Sequence, residues 1–286
     1  MKNRIELPDP VNVANSSRFV IHVPVGATYD RINMELGGTF TPAMISNLTF
    51  KVNGKAVRSY KTGQVLDDIN AMYGRGTYDA TNRQLAMWFY RPEMEEVEDA
   101  NLFALGSNNN LLVMDQRGRP TNGIFVRTLT IEGDIAGATS PTMKAWARVA
   151  TESKPLLFIE KVIYMPYNAP AGEGDYPNIP RSPLSILTAA FLSSAADDIT
   201  QVRITANVNG SQEEPYKLTN LRCDEELVND GRVLVATYFH IDLIPTGQFG
   251  EGLPLGVLQD LRIKPTKTAA ANIDIHAEFY DTVVGL

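Results

Sequence analysis

The chain of 286 residues has a formal net charge of −7, and 44% of its residues are hydrophobic. This length and composition fit a folded protein of two ordinary domains, and they exclude an intrinsically disordered chain. The sequence contains no cluster of Lys and Arg of the kind that neutralises phosphates, so we expect no direct contact with nucleic acid.

The single cysteine, Cys223, excludes an intrachain disulfide framework and a metal site built from cysteines alone. We expect it to be a half-buried small side chain, because no histidine lies near it in the sequence. The N-terminus carries Lys2 and Arg4 without an apolar segment behind them, so it does not resemble a signal peptide. The chain is therefore expected to fold in the cytoplasm.

The first half of the chain predicts strands joined by short turns. Pro8 and Pro10 make regular structure improbable at the start of the chain, so residues 1–14 are expected to form an arm. The alternation of apolar and polar residues then predicts strands at 19–24, 29–36, 45–54 and 55–60. Asn53-Gly54 supplies the two residues with positive φ that a two-residue hairpin turn needs.

The hydrophobic spacing next changes to a helical period. Thr62 can cap a helix whose apolar residues recur at helical spacing, namely Val65, Leu66, Ile69, Met72 and Tyr73. Gly74 and Gly76 are expected to end this helix. Further strands are predicted at 84–90, 124–132 and 143–149. Between the first two of these, residues 91–123 form the least regular part of the first half.

The second half repeats this order. Asn209-Gly210 ends an alternating run as Asn53-Gly54 does, and Tyr216-Lys217 follows it at the interval at which Tyr60-Lys61 follows the first turn. A second helix is predicted over 219–228, with Leu221, Leu227 and Val228 on one side. Strands are predicted at 156–165, 184–192, 199–210, 232–244, 258–264 and 272–284.

This repetition predicts an all-β protein made of two tandem eight-stranded jelly-roll β-sandwiches, each with a short helix. The predicted organisation is an N-terminal arm over 1–14, a first jelly roll over 15–151 and a second over 152–286. The connection over 91–123 is longer than its counterpart over 245–257, so we expect it to protrude from the surface.

A search for catalytic chemistry finds no candidate. His22, His240 and His276 lie within predicted strands and are not spaced as metal ligands. The carboxylate pairs Asp67-Asp68, Asp197-Asp198 and Glu213-Glu214 are neighbours in sequence and point apart on a strand, so we interpret them as solvated surface. We therefore predict no enzymatic activity and no catalytic residue.

An acidic run is the one candidate for metal binding. Its members could gather the oxygen ligands that calcium prefers, and they are Glu93, Glu95, Glu96, Glu98 and Asp99. The alternative, which we favour, is a charged loop that keeps a protruding surface soluble. No other cofactor is predicted.

Several short motifs, in consistent order over most of the chain, resemble the double jelly-roll major capsid proteins of tailless, membrane-containing phages. The resemblance is to the corticovirus type within the wider tectivirus and adenovirus lineage. The motifs are VPVGATY at 23–29, VNG at 52–54 with YKT at 60–62, FYRPEM at 89–94, FALG at 103–106 and QDLRIK at 259–264.

This resemblance implies a homotrimer whose six jelly rolls give a roughly hexagonal outline. Such trimers tile an icosahedral shell over an internal lipid membrane, beside neighbouring capsomers, pentons and minor capsid or membrane proteins. It places the chain in a virion capsid after synthesis in the host cytoplasm. Residues 91–123 would face outward and residues 1–14 inward, where Lys2 and Arg4 could contact the membrane.

Two other classes of protein remain open from the sequence. A tandem carbohydrate-binding or spike protein is also built from β-sandwiches, and the two tryptophans permit it. A jelly-roll hydrolase would need a carboxylate pair or a metal that the sequence does not offer.

Overall fold

The structure is a computed structural model that describes residues 2–102, 104–106, 111–114, 120–124, 126–150 and 158–282. The chain divides into two compact units. The first runs to Val162 and includes Thr282, and the second is Ile163–Asp281. Each unit is built almost wholly of strands, as predicted.

The first unit contains two main sheets and a separate pair of short strands. Its strands are β1 (Lys2–Glu6), β2 (Arg18–Val23), β3 (Thr28–Gly37), β4 (Ile45–Val52), β5 (Lys55–Thr62), β6 (Gln84–Trp88), β7 (Leu105–Gly106), β8 (Leu111–Met114), β9 (Pro120–Ile124), β10 (Leu129–Ile135), β11 (Thr142–Ala150) and the start of β12 (Phe158–Ala169). Its helices are α1 (Gly63–Met72) and α2 (Val97–Leu102), with a 3-10 turn at Pro42–Met44. One sheet has the order β1-β11-β3-β6 and the other contains β2-β10-β4-β5, while β8 pairs with β9.

Alternating side chains explain why these strands form a sandwich. In β4 the residues Leu48, Phe50 and Val52 are fully buried, and the residues between them are not. The ring of Phe50 meets that of Phe89, which directly follows β6 in the opposite sheet, edge to face at 5.1 Å. Because one face of each sheet is apolar, the two sheets bury these faces against each other.

The second unit has the same plan. Its strands after β12 are β13 (Gly172–Glu173), β14 (Ile186–Ser194), β15 (Ile199–Val208), β16 (Ser211–Thr219), β17 (Tyr238–Asp242), β18 (Leu253–Pro254), β19 (Asp260–Lys267) and β20 (Ala271–Thr282). Its helix is α3 (Asn220–Asn229), with a 3-10 turn at Phe249–Glu251. The sheets are β13-β19-β15-β16 and β17-β14-β20-β12. Leu192 and Ile275 from one sheet share a buried core with Ile204 and Ile263 from the other.

The two predicted hairpins are confirmed. Asn53 and Gly54 have φ of 51° and 81°, and Asn209 and Gly210 have φ of 51° and 85°. Both central residues of each turn are thus left-handed, as a type I′ turn requires. The turns join β4 to β5 and β15 to β16 in antiparallel register.

Both predicted helices are present, but the buried side of α3 was wrongly assigned. In α1 the Thr62 hydroxyl accepts a hydrogen bond from the Val65 N–H at 3.3 Å, and the predicted apolar residues are buried. In α3 the buried residues are Cys223 and Leu227, whereas Leu221 is 79% exposed and Val228 is 56% exposed. Residues four apart share a helix face, so burying Cys223 with Leu227 turns Leu221 and Val228 outward together.

Two other expectations are corrected. Residues Lys2–Glu6 of the predicted arm form β1, because the edge of β11 offers unpaired backbone groups and the prolines come only after Glu6. The strand predicted over 232–244 is shortened to Tyr238–Asp242, since Thr237 has a φ of 73°, which a strand does not accommodate.

Other expectations stay predictions. The predicted boundary between the jelly rolls, after residue 151, lies outside the described residues. Part of the connection over 91–123 lies outside them as well, and its predicted protrusion stays a prediction.

Replacing Gly54 by Ala should lower the free energy of unfolding of the first unit by about 1–2 kcal/mol, because a Cβ disfavours positive φ. A Cβ at Gly54 would meet no atom within 4 Å, so the loss comes from the backbone alone. Urea unfolding measures it. The matched control is Gly76→Ala, which also has open space but no positive φ and should be neutral or slightly stabilising. Equal effects of both changes would contradict the turn assignment.

Candidate functional site

The acidic run does not converge on one point. Glu95, Glu96 and Glu98 are exposed, while the Glu93 side chain is only 3% exposed and turns into the first unit. Glu98 and Asp99 lie in the first turn of α2, where negative side chains suit the helix dipole. Among the residues that the structure describes, no group of three or more His, Cys, Asp or Glu side chains is placed to hold a metal ion.

Glu93 instead binds two buried arginines. Arg75 Nε donates to Glu93 Oε2 at 3.1 Å, and Arg75 Nη2 donates to Oε1 at 2.5 Å. Arg91 Nε donates to the same Oε1 at 2.5 Å. Arg75 follows α1 and Arg91 follows β6, so one carboxylate ties the end of the helix to the end of a strand.

A second carboxylate extends this network to the other sheet. Glu160 on β12 lies 3.5 Å from Arg91 and 3.6 Å from Arg58 on β5. Arg58 Nη1 donates to the carbonyl oxygen of Trp88 on β6 at 2.5 Å. We call Arg58, Arg75, Arg91, Glu93 and Glu160 the buried ionic cluster.

Aromatic rings complete the surroundings of the buried ionic cluster. The guanidinium groups of Arg75 and Arg91 lie 4.6 and 4.8 Å from the centre of the Tyr73 ring. That of Arg58 lies 4.6 Å from the centre of the Phe89 ring. Each arginine therefore has both an anion and a ring face as a partner, which lowers the cost of burying its charge.

The electrostatics fix the charge state of Glu93. Burial by itself would raise the pKa of this carboxyl, but the two arginines outweigh burial and hold the pKa at about 2. Burial likewise opposes the charge of Arg75, and Glu93 raises its pKa above the ordinary value. The Glu93 carboxyl therefore stays ionised at neutral pH. It serves as a permanent partner of the two arginines and does not exchange protons there.

The second unit repeats one part of this arrangement. Gly74-Arg75 follows α1 and Gly231-Arg232 follows α3, and both glycines have positive φ. The Arg75 N–H donates to the Asn70 carbonyl and the Arg232 N–H to the Leu227 carbonyl, each at 2.8 Å, as in a Schellman motif. Arg232 Nε then donates to Asp242 Oδ2 on β17 at 2.6 Å.

The remaining candidates for chemistry are engaged in packing. Burial raises the pKa of Cys223 to about 11, so its thiol is neutral, and it donates to the His240 carbonyl at 3.0 Å. His240 stacks on Phe191 and His276 stacks on Tyr164, at 4.4 and 4.9 Å between ring centres. His22 lies exposed on β2.

The basic residues near the N-terminus belong to a sheet. Lys2 and Arg4 lie on β1, opposite Ala150 and Arg148 of β11. The Arg4 guanidinium is 5.1 Å from the centre of the Trp146 ring. In the described part of the chain, no helix has the length and apolar character needed to span a bilayer.

Sequence reasoning missed the buried ionic cluster. Apart from Arg91 and Glu93, its members are far apart in sequence, and each of them taken alone resembles a surface charge. The repeated Gly-Arg after each helix was the available signal, because an arginine at the same place in both halves indicates a shared structural role.

Comparisons with known proteins cover nearly the whole chain. The family described as viral coat protein P2, N-terminal domain, matches residues 4–150, and the C-terminal domain of the same coat protein matches residues 159–283. The chain is 24% identical over 282 residues to the major capsid protein P2 of Pseudoalteromonas phage PM2, covering 98% of this chain and 97% of that protein.

Solved structures share the fold. The crystal structure of the major capsid protein P2 from bacteriophage PM2 gives a TM-score of 0.85 at 22% identity, covering 100% of this chain and 99% of that one. The STIV major capsid protein gives 0.65 at 12% identity, with 100% of both chains covered. The PBCV-1 virus capsid gives 0.63 at 11% identity, covering 98% of this chain and 93% of that one. These matches confirm the predicted double jelly roll.

Replacing Glu93 by Gln should lower the free energy of unfolding of the first unit by about 3–5 kcal/mol at pH 7, because Arg75 and Arg91 lose their shared carboxylate. The pKa of Glu93 is about 2 in the folded chain and ordinarily 4.5. The difference in free energy of unfolding should therefore have its full size above pH 4.5 and should shrink as the pH falls toward 2. Urea unfolding at several pH values measures it.

The matched control for this change is Glu95→Gln. Glu95 lies two residues away and is exposed, so its replacement should change the free energy of unfolding by no more than about 0.5 kcal/mol. A similar loss for both variants would contradict the bracing role of Glu93.

Proposed function

The chain belongs to the viral coat protein P2 family, and from this premise we propose that it is a major capsid protein whose copies form trimers that tile an icosahedral shell over an internal lipid membrane. The observation that carries the proposal is the pair of jelly rolls on one plan, matched over the whole chain by the PM2 major capsid protein. The family match also favours this role over the carbohydrate-binding alternative.

Two similar units per chain suit such a lattice. A trimer of this chain offers six similar sandwiches, so a threefold object can meet six neighbours through nearly equivalent flanks. A tile needs rigid flanks and no reaction centre. The buried ionic cluster provides rigidity by tying β5, β12 and the ends of α1 and β6 together. We therefore assign the chain a structural role without catalysis.

The partners follow from this role. Neighbouring capsomers would meet the flanks of each trimer, and pentons and minor capsid or membrane proteins would complete the shell. The chain would be made in the host cytoplasm before it enters the virion. Membrane contact through Lys2 and Arg4 stays a prediction, and it would involve a sheet face instead of a free tail, because both residues lie on β1.

The purified full chain should form trimers with a mass of about three times 31.5 kDa, since capsid tiles of this plan close as threefold rings. Light scattering over a range of protein concentrations measures this mass. A monomer that persists at the highest concentration, with and without added lipid vesicles, would contradict the proposed assembly.

Calcium binding by the acidic run stays a prediction, with Glu93 removed from the ligand set because both its oxygens accept from arginines. If the exposed carboxylates gather around an ion, calorimetric titration of the trimer with calcium gives a heat that the variant Glu96→Gln/Glu98→Gln loses. The favoured alternative, a charged loop that keeps the surface soluble, gives no such heat. Glu213→Gln/Glu214→Gln is the control with an equal change of charge. Absence of heat at millimolar calcium would contradict calcium binding by the acidic run.

A further inference from the structure

Three arginines stand side by side on the outer face of one sheet. Arg4 on β1 pairs with Arg148 on β11, and Arg148 pairs with Arg31 on β3. Directly paired residues project from the same face of a sheet, so these side chains form one lateral row. We call Arg4, Arg148 and Arg31 the arginine row.

Two tryptophans hold the centre of the arginine row in place. Trp88 on β6 pairs with Arg31 and continues the row. The Arg31 guanidinium lies 4.5 Å from the centre of the Trp88 ring and 5.5 Å from that of Trp146. The Trp146 Nε1–H donates to Gln84 Oε1 at 2.9 Å, which fixes this ring. The guanidinium is therefore held in one position before any partner arrives.

Two buried donor atoms at the centre of the arginine row lack acceptors. Among the described residues, neither Arg31 Nε nor Trp88 Nε1 has a hydrogen-bond partner, although both atoms are buried. Burial and the charges of Arg148 and Arg4 lower the pKa of Arg31. Asp30, 3.9 Å from Arg148, and Glu6, which pairs with Trp146, offset part of this charge, and further along the same face Glu35 pairs with Lys144. Like charges in direct register are destabilising, so this face is built for an anionic partner.

The outer face of α3 has the opposite character. Leu221, Asp224, Glu225 and Val228 recur at helical spacing, and none of them is buried. We call these four residues the acidic helix face. Burial and the nearby Asp197 raise the pKa of Asp224, because both disfavour its ionised form. A cation beside Asp224 would stabilise that ionised form.

Comparison with α1 shows that the apolar part of this face is specific to the second unit. Gly74 and Gly231 cap their helices by donating to Ala71 and Val228, so these two acceptors occupy equivalent positions. Where α3 exposes Leu221 and Val228, α1 has Gln64 and Ala71. Exposed leucine and valine on one face of a charged helix are typical of an interface.

We propose that the arginine row of one chain binds the acidic helix face of a neighbouring copy, with Asp224 and Glu225 beside the arginines and Leu221 and Val228 against the tryptophan rings. This inference rests on the proposed trimer and deepens it by naming the contact. Two different patches meet in this contact, so it is heterologous and can close as a ring. The chain is acidic overall, with a net charge of −7, and copies would otherwise repel one another.

Exchanging the charges across this contact tests the proposal. Arg4→Glu/Arg148→Glu should weaken trimer association at least about tenfold, and Asp224→Lys/Glu225→Lys should do the same. A chain that carries all four changes should form trimers again, because the contact is restored with its polarity reversed. Light scattering against protein concentration and salt gives the association constants, and circular dichroism checks that each variant is folded.

The matched control is Lys61→Glu/Arg127→Glu, which changes the net charge equally at exposed positions on or beside the other sheet of the first unit. This control should leave the association constant of the trimer within a few-fold of that of the wild-type chain. Trimers of normal strength in both test variants would overturn the contact, and so would a loss that the four changes together do not repair.

A flotation assay with vesicles of anionic lipid tests whether the arginine row binds lipid headgroups instead of a neighbouring chain. If Arg4→Glu/Arg148→Glu abolishes vesicle binding and leaves the trimer intact, the arginine row is a lipid contact and the proposal fails. A wild-type chain that never forms trimers would instead overturn the proposed function.

Discussion

The first unit depends on opposite charges that are buried together where its two sheets meet the end of α1. Three arginines and two glutamates lie in the buried ionic cluster, and the removal of either carboxylate would leave positive charge in a medium that cannot solvate it. Because these groups require specific partners, they permit far fewer arrangements of the strands than apolar contacts alone would. Rigidity of this kind suits a protein that repeats many times in one shell.

The repeated Gly-Arg shows how one local device serves two sandwiches differently. In both units the glycine ends the helix and the arginine binds a carboxylate, which is Glu93 beyond the end of β6 in the first unit and Asp242 at the end of β17 in the second. In the first unit that carboxylate serves a second arginine as well, and in the second unit Arg232 also donates to a carbonyl oxygen, that of Ile244. The two units thus share the glycine cap and its backbone hydrogen bonds, and they differ in the side chains that the arginine contacts.

Local signals in the sequence predicted much of the fold. The Asn-Gly turns and the capped α1 are encoded by neighbouring residues, and the resemblance to phage capsid proteins is confirmed by the family match. Two of the errors have a common cause, since β1 and the orientation of α3 depend on what lies beside them in space. The buried ionic cluster and the arginine row each join strands that are distant in the chain, so the repeated Gly-Arg could indicate a role for Arg75 but not its partners.

The distribution of two rare side chains gives each unit its own reporter. Both tryptophans, Trp88 and Trp146, lie in the first unit, and the one thiol, Cys223, is buried in the second. Indole fluorescence therefore follows the opening of one jelly roll, while the rate at which a thiol reagent reacts follows the opening of the other. The two signals from the unaltered chain can thus show whether its two units unfold together or one after the other.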